Sequence, residues 1–185
     1  MKSLKGFSVK ALISKTIRLR LVNENDAEFI TSLRTDVKYN KHLSVVDNNV
    51  ESQKKWISEY KVKETNKEQF YFIIERLDGE RCGTVRLYDF KDDSFCWGSW
   101  ILNENKTRYS AIESAFLVYK IGFDILGFKK CHFDVRKDNK NVNAFHLKFG
   151  AKRTGETELD FLYEIYPDDV NNMKVKFLKL LEIVE

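Results

Sequence analysis

The chain has one proline and eight glycines in 185 residues. That is too little turn-forming material for an all-β sandwich, which needs tight turns at short intervals. Cysteine is as sparse. Cys82, Cys96 and Cys131 stand far apart with no C-x-x-C pair, and only His132 adjoins one of them, so neither a zinc site nor a disulfide framework is expected. Such a count suits a reducing compartment, where buried thiols act as small apolar side chains. No stretch approaches the roughly 18 apolar residues of a membrane span. The first fifteen residues scatter four lysines through a sequence without an apolar core, a poor secretory signal. The expectation is a cytoplasmic protein. A block of one charge is also missing: 32 basic and 28 acidic side chains are interleaved, for a net +4. No nucleic-acid partner is expected, and the modest positive balance suits a small anionic ligand.

Apolar residues make up 43% and aromatics 14%, enough for the buried core of one mixed α and β domain. Residues 16–22 alternate apolar and polar like a half-buried strand. Asn23 or Asn25 can cap a helix over 26–34, with Ala27, Ile30 and Leu33 on one side. A polar loop over 38–49 leads to a second helix, 50–62, whose Trp56 and Tyr60 share a face. Strands over 70–77, 82–90 and 94–102 are joined by short polar connections, the pattern of an antiparallel meander. Residues 109–126 carry the longest helical pattern, through Ile112, Phe116, Tyr119 and Phe123, and Gly127 ends it. A strand over 130–136, a helix over 141–149, a last strand over 158–166 and an amphipathic helix over 171–184 complete the chain.

Residues 133–155, FDVRKDNKNVNAFHLKFGAKRTG, are the most informative. Asn139 can satisfy backbone groups at a strand end or helix start, Val142, Phe145 and Phe149 recur at helical spacing, and Gly150 suits a left-handed cap. The segment reads as strand, helix, strand. Asn139 then lies beyond a strand's carboxyl end, where ligands of α/β proteins bind, although an ordinary connection has the same spacing.

This order of elements resembles the GCN5-related N-acetyltransferase (GNAT) superfamily over residues 16–166, and is most like its branch of ribosomal-protein N-terminal and bacterial amino-sugar N-acetyltransferases. The resemblance implies a mixed α/β fold: a central, mostly antiparallel sheet, a splayed pair of parallel strands and flanking helices. Residues 1–15 would form an N-terminal extension, and 167–185 a C-terminal helix packed on the same domain or against another copy in a homodimer. Acetyl-coenzyme A would be the cosubstrate, lying between strands 94–102 and 130–136 beside Ile101 and Leu102, with no metal. Its acetyl group would pass directly to an amine.

The family's pyrophosphate turn, Gln/Arg-x-x-Gly-x-Gly/Ala, corresponds to Lys106, Thr107, Arg108, Tyr109, Ser110 and Ala111. Tyr109 replaces the usual glycine, which elsewhere permits close backbone approach to phosphate. The helix start still offers free N–H groups and its positive dipole end. Asn139 matches the asparagine after the second parallel strand, and Lys148-Phe149-Gly150-Ala151 resembles the family's Lys-Leu-Gly-Phe. His146 takes the place of a tyrosine that protonates the departing thiolate in many members, and a histidine can do so near neutral pH or simply wall the pocket.

For the general base, Asp134 is the first carboxylate to consider, since Cys96 stands where related sequences carry a glutamate. Asp134 could equally pair with Arg136 or Lys137. A nucleophilic role for Cys96 would need an activating histidine, and none adjoins it. Arg34, Tyr39 and His42 of the first inter-helix loop, with Trp56, Trp97 and Trp100, could form an aromatic, partly basic acceptor wall. Tryptophans also serve as core. The expected acceptor is a small-molecule amine, first an amino sugar carried on a nucleotide and used in bacterial surface-polysaccharide assembly, then a protein N-terminus. A binding protein on the same fold, its altered turn no longer accepting cofactor, is the reading of another class.

Overall fold

The computed structural model describes residues 11–177. Eight strands form one sheet: β1 (Leu12–Ile13), β2 (Ile17–Leu21), β3 (Phe70–Arg76), β4 (Arg81–Tyr88), β5 (Ser94–Leu102), β6 (Lys130–Arg136), β7 (Lys152–Glu156) and β8 (Asp160–Ile165). Their order across the sheet is β1-β2-β3-β4-β5-β6-β8-β7. Every neighbouring pair is antiparallel except β5 and β6. The expected meander and the mixed, mostly antiparallel sheet are therefore both present.

Five helices cover the sheet: α1 (Ala27–Thr35), α2 (Val50–Thr65), α3 (Ser110–Tyr119), α4 (Lys140–Phe149) and α5 (Pro167–Phe177). Local chemistry sets their ends. Asn23 and Asp26 form a reciprocal capping box ahead of α1. Asn49 accepts from the Ser52 N–H to start α2, and Gly150, at φ +101°, closes α4 in the left-handed conformation.

Strand alternation gives the sheet two unlike faces. Tyr71 and Ile73 of β3 pack with Val22, Ala27, Ile30, Ile57 and Tyr60 beneath α1 and α2. The opposite face, including Phe95, Trp97, Phe133 and Tyr163, joins α3, α4 and α5 in the larger core, to which α5 contributes Val170 and Met173.

Three expectations change. The helix over 109–126 is α helix only to Tyr119. Residues 120–125 then form a wider π turn, closed by Leu126 N–H donating to Ile121 O at 2.8 Å. Here the Phe95 ring lies 2.0 Å from where a Cβ on Gly122 would stand, so aromatic packing reaches the helix backbone itself. The strand expected over 158–166 is β8 alone, and it forms a hairpin with β7, the strand read after Gly150. Lys-Arg-Thr-Gly-Glu in β7 shows no apolar alternation because it is an exposed edge strand whose contribution is backbone pairing. Leu12 and Ile13, placed in an extension by sequence, pair with Leu19 and Arg18. Most of the last turns expected over 171–184 lie outside the described residues.

Candidate active site

β5 and β6 pair only at Ser94↔Lys130 and Phe95↔Cys131. Beyond these residues β5 stays with β4 and β6 with β8, so an opening widens toward the carboxyl ends of the two parallel strands. One extra residue in β5 bulges it between Gly98 and Ile101. Ser99, at φ +47°, sits in the bulge, and its carbonyl accepts from Thr84 Oγ1 at 2.9 Å. The Ser99 carbonyl is thus held by a side chain rather than by the β4–β5 backbone ladder.

The 106–111 turn borders this opening at the start of α3. Ser110 Oγ accepts the Thr107 N–H at 2.9 Å and lies 2.8 Å from Thr107 Oγ1, which is 2.6 Å from Thr16 Oγ1. Thr16 in turn donates both N–H and Oγ1–H to the fully buried Glu113, at 2.9 and 2.7 Å. The turn is thereby anchored to the neighbouring strand. Tyr109 adopts φ −108°, open to any residue, so the missing glycine brings no backbone strain here. No side chain caps α3. Its first N–H groups, beside Lys106 and Arg108, fit a pyrophosphate. Asn139 caps α4 through a 3.4 Å bond from Val142 N–H. Asn143, which sequence reasoning passed over, fixes that region: it donates to Arg136 O and Asn139 O at 2.9 Å and accepts from Tyr163 Oη at 2.8 Å.

Asp134 lies on the α1/α2 side of the sheet, where it acts electrostatically on Tyr88 and Cys96. Partial desolvation and then Asp160 raise the carboxyl of this exposed side chain above its ordinary value, opposed in part by Arg136. Tyr88 crosses Gly98 closely enough that a Cβ there would stand 2.9 Å from its hydroxyl. Burial pushes the Cys96 thiol up to about 12, which keeps it protonated and removes a nucleophilic role at neutral pH. Arg86 shares this face, stacked 5.5 Å from the Trp56 ring centre and 5.0 Å from that of Tyr88, and burial lowers its pKa. Neither Arg86 nor Tyr88 stood out in the sequence. Their even spacing from Thr84, alternating with Gly83, Val85 and Leu87, is the signal that places them together.

The loop after α1 reaches both sides of the opening. Tyr39 hydrogen-bonds Glu104 beyond β5, while His42 Nδ1 lies 3.2 Å and Lys41 Nζ 3.7 Å from Asp138 beyond β6. Arg34 Nη2 holds this loop through Ser44 Oγ at 2.7 Å.

Trp97, Trp100 and His146 gather on the other face. Trp97 is 4% exposed and packs edge-on to Tyr119 and His146. Trp100 donates from Nε1 to Ser114 Oγ at 3.1 Å and meets Phe145. The structure therefore separates these tryptophans from Arg34 and His42. His146 is 4% exposed and 4.2 Å from the Phe133 ring centre. Burial lowers its pKa to about 3, leaving a neutral imidazole whose Nδ1 has no hydrogen-bond partner among the described residues.

Residues 16–152 match the family model of the acetyltransferase (GNAT) domain. The chain belongs to the GNAT acetyltransferase family and is an acyltransferase. It is similar to the apo structure of FdhC, a nucleotide-linked sugar GNAT, at 48% identity and a TM-score of 0.85, with 91% of this chain and 97% of that chain covered. A GCN5-related N-acetyltransferase from Brucella melitensis shares the fold at 13% identity and a TM-score of 0.76, covering 94% of this chain and 86% of its own. So does the ribosomal-protein-S5-alanine acetyltransferase from Vibrio fischeri, at 14% identity and 0.68, covering 86% and 97%. No curated protein matches. Among the described residues, no helix is long and apolar enough to cross a membrane, and no cluster of three metal-ligating side chains occurs.

Proposed function

We propose that the protein N-acetylates an amino sugar carried on a nucleotide. Similarity to a nucleotide-linked sugar GNAT over nine-tenths of the chain is the observation that carries this reading. Acetyl-coenzyme A, when bound, supplies an activated acetyl thioester. Lys106, Arg108, the uncapped start of α3 and Asn139 would hold its polar arm, and Ile101 and Leu102 would flank it.

Asp134 takes the proton from the acceptor's ammonium, its raised pKa making it a better base than an ordinary aspartate. The amine stands on the α1/α2 side, where Tyr88 and the bulge at Ser99 bound the space. A neutral His146 orders the aromatic wall on the far side and holds no ionic proton to donate near pH 7. The test is steady-state acetylation of nucleotide amino sugars against peptide amines. Asp134→Asn should lower kcat by roughly 10²–10⁴-fold while the Kd for coenzyme A stays within about twofold, inside the scatter of a surface change. Equal kcat in the variant would remove Asp134 as base, and turnover of peptides alone would replace the sugar.

A further inference from the structure

All nine arginines lie among the described residues. Arg18, Arg20, Arg76, Arg81, Arg136 and Arg153 each hold a carboxylate within ion-pairing distance. Arg34, Arg86 and Arg108 have none among the described residues. Arg108 belongs to the turn assigned above to coenzyme A. The other two lie together on the α1/α2 face, near enough to repel each other and to act jointly on the Tyr71 hydroxyl.

Their environment is built rather than solvated. Both bury Nε without a hydrogen-bond partner among the described residues. Arg34 spends Nη2 on Ser44, and Arg86 spends Nη2 on Gln69, both neutral acceptors. The Trp56 and Tyr88 rings fix the Arg86 guanidinium. Two partly buried like charges with unused donors cost stability unless something negative completes them. A planar guanidinium pair with spare N–H groups matches the oxygens of a phosphoryl group. Arg86 is also opposite Gly98, one residue before the bulge, so an anion held there is a neighbour of the reacting amine.

We propose that Arg34 and Arg86 form a phosphoryl-binding site, distinct from the coenzyme A turn, which grips the diphosphate of the acceptor while Asp134 faces its amine. The inference takes its place from the proposed acceptor site, and its chemistry from the arginines alone.

The experiment titrates inorganic pyrophosphate into the full chain at saturating coenzyme A, which occupies the other phosphate-binding turn, with succinate as a parallel probe. Saturable pyrophosphate binding is expected, weakened roughly tenfold or more in Arg34→Met and in Arg86→Met, the size of losing a charge-assisted hydrogen bond. Arg86→Lys keeps the charge and the aromatic contact, and should recover part of the affinity even if the methionine variant folds poorly. Pyrophosphate affinity unchanged by either methionine variant, or succinate binding in its place, overturns the site. Failure of coenzyme A to bind in the same series would instead remove the acetyltransferase assignment of the turn, and arginine-dependent pyrophosphate binding would still support the pair.

Discussion

His146 shows how one residue type changes meaning with its surroundings. In sequence it occupies a proton donor's place, and in the fold it is a neutral ring among Trp97, Trp100, Phe133 and Phe145. Its folded pKa near 3 lies below the ordinary 6.5, so between those values the unfolded chain binds more protons than the native one. Stability must then rise with pH across that window, by up to ~1.4 kcal/mol per pH unit, and the contribution is lost as pH falls toward 3. Urea unfolding of the wild type and of His146→Leu at pH 4, 5, 6 and 7 checks this. The variant should show a shallower slope over the window, and identical slopes would mean that His146 is protonated in the folded protein. Spacing revealed that His146 lies on the helix that Asn139 precedes. It could not reveal that Trp97 and Arg34 lie on opposite faces of the sheet, because that depends on the register of β5 against β4 and on the bulge at Ser99.

At the scale of elements, β5 and β6 are legible to the residue because aromatic and β-branched runs bounded by polar turns admit few other readings. The bounds of the edge strand β7 and the break in the long helix are not. Backbone pairing leaves no mark on side-chain pattern, and the π turn depends on a ring from a distant strand. Gly122 is where that dependence can be measured. An alanine methyl would overlap Phe95, so Gly122→Ala should destabilise the protein by about 1–3 kcal/mol, the usual cost of overpacking a core. The same change in a Phe95→Leu background should cost less, since the smaller side chain can move aside. Equal penalties in the two backgrounds would place the cause in the helix backbone rather than in the ring contact.

For the molecule as a whole, the decisive feature is that its sheet is nearly two sheets. β1 to β5 form one antiparallel body and β6, β8 and β7 another, joined along their strands only by the short parallel pairing at Ser94 and Phe95 and otherwise by helix packing beneath. Asn139 follows β6, whereas Ile101 and Leu102 end β5 and the turn at 106–111 comes after it, so a ligand holding all of them spans the division. Binding should therefore stabilise both bodies together. At 100 times Kd, acetyl-coenzyme A should add about 2.7 kcal/mol to global stability, and amide exchange should slow in β5 and in β6 alike. Protection confined to β5 and the start of α3 would mean that the ligand rests on the turn without entering the opening. That outcome would detach Asn139 from the cofactor and leave the cleft between the strands to the acceptor alone.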